Sequence, residues 1–180
     1  MALPIRHKVI TPDTTATHTN TTTEAAFSQQ ITIPANTLRV GDRIEAFCTV
    51  KATATNSSDT LKVYLMLGVS STATKTSSTG IVLATNTAVD ASDGDVVGCW
   101  GVGQVLAVGA ASTASIASVG IGALTTLGGA RSGVLATYLD TTVDLALYVV
   151  ADWSAQSTGD VCHLSCLDLV ITPANPTESP

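Results

Sequence analysis

The chain is short of charge. Asp, Glu, Lys and Arg together make up 12% of its 180 residues, about half the share of an ordinary soluble domain. Eight Lys plus Arg are scattered against fourteen Asp plus Glu, for a net charge of −6. Such a set offers no phosphate-neutralising patch, which argues against nucleic acid as a partner. Histidine is scarce as well: His7, His18 and His163 lie far apart in sequence. No Ser/His/Asp or Cys/His arrangement stands out that would supply a nucleophile with its base. Long apolar runs are missing: none approaches the roughly 18 residues of a membrane span. The opening MALPIRHKVI has no apolar core of signal-peptide length. The expectation is a protein made in a cytoplasm, with no membrane partner, no cofactor and no enzymatic role.

Aromatic residues are few, at 4%. Lys and Glu, which usually coat solvated helices, are also few. Thr and Ser supply most of the polarity, and Ala, Val and Leu most of the apolar share. Thr and Val are stiff at χ1 and fit a pleated sheet, so the composition argues for an all-β fold. A surface with so little charge has little to hold it apart from neighbours. It suits a subunit of an assembly, and composition alone fits a thermostable or extracellular β-domain with a Ser/Thr coat equally well.

The strand signals agree. RIEAFCTVKATA places Ile44, Ala46, Cys48, Val50 and Ala52 on one face, with Arg43, Glu45, Thr49 and Lys51 opposite. TLKVYLMLGV turns Leu61, Val63, Leu65 and Leu67 inward, and TTVDLALYVVADW does the same with Leu145, Leu147, Val149, Ala151 and Trp153. FSQQITIP reads as a strand ended by Pro34, and TLRV as a short strand after a turn at Ala35-Asn36. Gly98, Gly101 and Gly103 within VVGCWGVGQVLAVG mark a bulge, a bend or a close backbone approach. Eight or nine strands with recurrent turns and no convincing helix suit an antiparallel two-sheet β-sandwich, most simply a jelly roll. Its span is 27–172. Residues 1–26 read as an extended N-terminal arm, and 173–180 as an extended C-terminal tail.

The remaining candidates for chemistry are weak. Cys162 and Cys166 fall on one strand, about 13 Å apart at 3.3 Å per residue, too far for a disulfide. His163 points to the other face from both, so CHLSC does not converge on a metal. Asp90, Asp93 and Asp95 crowd one turn but lack the Glu and helices of an EF-hand. Trp100 and Trp153 sit among apolar neighbours in alternating strands, which places them in the core or at a subunit interface.

TIPANTL, then RV, GD and a long alternating strand, is similar to the start of a family of small phage virion structural proteins. The resemblance continues through LKVYLMLG, GCWGVGQVLAV and the late TTVDLALYVVADWSAQSTGDVCHLSCLDLVI, over about residues 27–172. It implies a jelly-roll sandwich, often a homotrimer, acting as a capsid decoration (cement) protein on the head surface of a bacteriophage, or as a tail-fibre or spike module that binds a host receptor. The first reading makes the major capsid protein and the chain itself the partners. The arm segment Pro4, Ile5, Arg6, His7, Lys8 and Val9 is then the expected capsid-binding element, with Arg6 and Lys8 as anchors on an acidic surface.

Overall fold

The computed structural model describes residues 5–9, 17–19, 22–54, 58–69, 80–111, 113–122, 132–155 and 159–174. They form twelve strands: β1 Ile5–Val9, β2 Thr17–Thr19, β3 Ala25–Ile33, β4 Arg43–Ala54, β5 Thr60–Gly68, β6 Gly80–Thr85, β7 Val89–Asp90, β8 Val96–Ala107, β9 Ala114–Gly122, β10 Ser132–Leu139, β11 Leu145–Trp153 and β12 Val161–Thr172. A seven-stranded sheet runs β1-β12-β4-β8-β9-β10, with β2 also on β12. A five-stranded sheet runs β3-β11-β5-β6, with β7 also on β5.

The pairing is nested. β1 lies on β12, β3 on β11, β4 on β8 and β5 on β6, every pair antiparallel. Successive pairs fall alternately in the large and small sheets. A long hairpin wrapped around a sandwich in this way is a jelly roll. The β9–β10 hairpin sits between β8 and β11 in the chain and widens the large sheet.

The core lies between the sheets, as the alternation implies. Ile44, Ala46, Cys48, Val50 and Ala52 of β4 are buried together with Leu61, Val63, Leu65 and Leu67 of β5 and Leu145, Leu147, Val149, Ala151 and Trp153 of β11. The glycines of β8 are sites of close approach. A Cβ on Gly101 would stand 3.0 Å from Leu83 Cβ, and one on Gly103 would stand 2.8 Å from Ile116 Cγ2. Glycine at these places lets β6 of the opposite sheet and the neighbouring β9 come close to β8.

The small sheet carries a second apolar cluster on its far face. Tyr64, Met66, Ala146, Tyr148 and Val150 are buried there, with Ala26 and Val82 packed against them. β5 and β11 are thus dry on both faces. Asn86 substitutes for strand pairing where β6 stops. Its carboxamide accepts from Val63 N at 2.6 Å and donates to Leu61 O at 3.1 Å, and its own N–H reaches Val63 O at 3.3 Å.

Three expectations are corrected. The N-terminal segment is extended, but Ile5–Val9 and Thr17–Thr19 lie along β12 as edge strands instead of leaving the sandwich. TLRV is not a strand: residues 34–42 form a turn-rich loop, because Asn36 (φ 58°) and Gly41 (φ 92°) both take the left-handed conformation. On β12 a bulge falls between Leu164 and Cys166. It moves Cys166 opposite Thr49, on the face shared by His163 and Lys51, while Cys162 is buried in the core. Cys162 and Cys166 therefore do not share a face.

Candidate docking surface

One end of the sandwich is built from the β3–β4, β8–β9 and β10–β11 loops, which are sewn together by backbone hydrogen bonds. Asn36 N donates to Thr141 O at 2.8 Å, Gly41 N to Val105 O at 2.7 Å, Val105 N to Asp42 O at 2.9 Å and Thr141 N to Gly109 O at 2.9 Å. Thr141, buried, also uses its Oγ1 to accept from Gly109 N at 2.8 Å. A Cβ on Gly41 would stand 2.6 Å from Ala174 Cβ, so the residues after β12 pack on the same end.

The carboxylates here shape the loops. Asp42, buried, accepts from Arg39 N at 2.9 Å and from Ala174 N at 3.2 Å. Asp144 accepts from Ala35 N at 2.8 Å. Asp140 accepts from the hydroxyl and the N–H of Thr142, and these bonds hold its carboxyl below the usual value. Each of the three carboxylates accepts at least one backbone N–H.

Asn36, Arg39, Thr142 and Asp144 are exposed here, and beside them stand four large apolar residues. Val40 is 59% exposed, Leu106 44%, Val108 42% and Val143 44%. Their chain neighbours Gly41, Val105, Gly109 and Asp144 make the bonds between the loops, so the four residues share this end. Among the described residues, the other exposed large hydrophobics are Val96 and Trp100. A contiguous apolar patch made by such residues would be of the kind that marks contact surfaces.

The expected site residues fall elsewhere. Trp153 is buried in the core. Trp100 lies on the outer face of the large sheet opposite Phe47, and its indole N–H donates to Glu45 Oε1 at 3.2 Å. Pro4 lies outside the described residues, and Ile5, Arg6, His7, Lys8 and Val9 form β1. Asp95 of the acidic turn closes its own loop, accepting from Ser92 N at 2.8 Å, with Gly94 at φ 93°. No group of three His, Cys, Asp or Glu among the described residues could hold a metal ion. The sequence reading missed Val40, Leu106, Val108 and Val143. The available signal was a large apolar residue beside a turn: Val40 before Gly41-Asp42, Val108 before Gly109, and Val143 within TTVD.

No protein-family model matches the chain, and no curated protein does. Among solved structures, the Lotus tetragonolobus seed lectin is similar at a TM-score of 0.40 and 8% identity, covering 96% of this chain and 94% of that one. Basic winged bean lectin with Tn-antigen gives 0.42 and 8%, covering 94% and 99%. An alginate lyase, Aly36B, in complex with an alginate trisaccharide gives 0.34 and 10%, covering 97% and 100%. At these TM-scores the likeness carries no argument about function.

Proposed function

We propose that this chain is a non-catalytic structural protein of a virion: a capsid decoration protein that binds the outer surface of a phage head as a homotrimer. The observation that supports this reading best is the loop end of the sandwich, where Val40, Val108 and Val143 on backbone-braced loops and Leu106 near the end of β8 stand outward. A surface already ordered before contact loses little conformational freedom on binding. Three copies presented by one trimer would multiply a weak contact through effective concentration. The low share of charge fits the same role, since few charged groups have to be desolvated where copies pack closely. The docking contact moves from the N-terminal arm to the loop end, because Ile5–Val9 already pair with β12 and their strand bonds on that side are taken.

The test is a binding assay on particles. Purified heads lacking the protein are mixed with it, sedimented, and the bound copies counted. The reading expects saturation at hundreds of copies per head, and loss of binding in a Val40→Asp/Val108→Asp/Val143→Asp variant that remains folded. A few dozen copies confined to the tail would instead favour a fibre or spike module. Unchanged head binding by the variant would reject the loop end as the contact.

A further inference from the structure

Cys48 and Cys99 are directly opposite each other on β4 and β8, adjacent strands in the middle of the large sheet. Both side chains are buried in the core. Directly opposed residues of an antiparallel pair have Cα atoms about 4.5–5.5 Å apart, inside the window of about 4.4–6.8 Å that a disulfide needs. Cys99 Sγ donates to Val63 O at 3.5 Å. Cys162 faces the same core from β12 but sits opposite Ala52, and Cys166 stands on the outer face beyond the bulge.

From this register we infer that Cys48 and Cys99 form an oxidisable pair, a site for an intramolecular cross-strand disulfide made by a small peroxide oxidant. The steps balance. The Cys48 thiolate attacks one peroxide oxygen, the O–O bond breaks, and the products are a Cys48 sulfenic acid and hydroxide. The Cys99 sulfur then attacks the Cys48 sulfur, the S–O bond breaks, and the hydroxyl leaves as water with the Cys99 proton. Two thiols and one hydrogen peroxide give one disulfide and two waters. Peroxide is small enough to reach a closed core through local opening, where a bulky disulfide reagent is not. The neighbouring Cys99 thiol and burial hold the Cys48 thiol well above its usual value, so formation is slow in the closed state and paced by opening of the sandwich. The bond would close a loop of about 50 residues and restrict the unfolded chain.

The experiment uses the full chain with Cys162→Ser and Cys166→Ser, which leaves only the pair. The folded double variant and the wild type are held in hydrogen peroxide, with and without mild urea, then denatured, alkylated and mapped by mass spectrometry. The expected result is a cross-linked peptide containing Cys48 and Cys99, lost in Cys48→Ser and in Cys99→Ser. With it should come a rise of about 5–15 °C in the unfolding midpoint of the oxidised double variant, reversed by a reductant. If both thiols of the double variant remain alkylatable under peroxide that oxidises Cys166 in the wild type, the inference is overturned. Over-oxidation of either thiol without a cross-link overturns it equally.

Discussion

Asn86 and Val63 are joined twice, by the carboxamide oxygen on the Val63 N–H at 2.6 Å and by the Asn86 N–H on the Val63 carbonyl at 3.3 Å. The side chain thus replaces a strand residue across the gap between β6 and β7, and it is buried while doing so. Asn86→Ala leaves Val63 N and Leu61 O without these partners in a dry place. An unmade buried hydrogen bond costs about 1–3 kcal/mol, so the variant should lose about 2–4 kcal/mol. Urea unfolding monitored by tryptophan fluorescence would measure it, and a loss below about 0.5 kcal/mol would mean that water replaces the side chain.

Tyr148 gives the opposite sign. Its hydroxyl is buried on the far face of the small sheet with no hydrogen-bond partner among the described residues, and burial pushes its pKa up to about 12. The folded state thus keeps the proton that the unfolded chain releases near pH ~10. Stability from this group is fully present below about pH 10 and is lost as the pH rises toward about 12. Tyr148→Phe should be neutral or more stable by up to about 1 kcal/mol at pH 7, with a flatter fall above pH 10. A steeper alkaline fall in the variant than in the wild type would contradict this account.

Gly41 is held at φ 92° beside Ala174. Gly41→Ala meets both an unfavourable conformation and a contact of 2.6 Å. Strain of this kind costs about 1–3 kcal/mol. Hydrogen exchange should show faster opening of residues 34–42 in the variant, with the centre of β4 little changed.

Asp140 lies at the exposed end and is held low by Thr142. The depressed carboxyl favours the fold above its ordinary range near pH ~3.9, and that contribution disappears as the pH falls through the folded value. Thr142→Val removes the hydroxyl bond. An NMR titration of Asp140 should then move up toward the ordinary carboxylate value; no movement would remove Thr142 as the cause.

Val40, Leu106, Val108 and Val143 are exposed, so single changes to Ser should alter stability by no more than about 0.5 kcal/mol. Their effect belongs to association. Light scattering and head-binding of the four variants would separate the two: a residue whose change unfolds the chain is a packing residue, not part of a contact surface.

Local order was legible in the sequence because the pleat is a local property. Alternation alone put Ile44, Ala46, Cys48, Val50 and Ala52 on the core face, and turn chemistry marked Ala35-Asn36, where Asn36 takes φ 58°. The two-layer class followed from strand number and the absence of helical pattern. What only the tertiary structure decided is everything that joins distant positions. No local feature of IRHKV says that Ile5 lies opposite Ile171, and no spacing announces that one extra residue on β12 turns Cys166 away from Cys162. Nor does the sequence place Cys48 against Cys99, or gather Val40, Leu106, Val108 and Val143 at one end. Those arrangements arise when nested strand pairs close and backbone groups of separate loops find one another. The energy that selects them lies in contacts between residues far apart in the chain, which periodicity does not record.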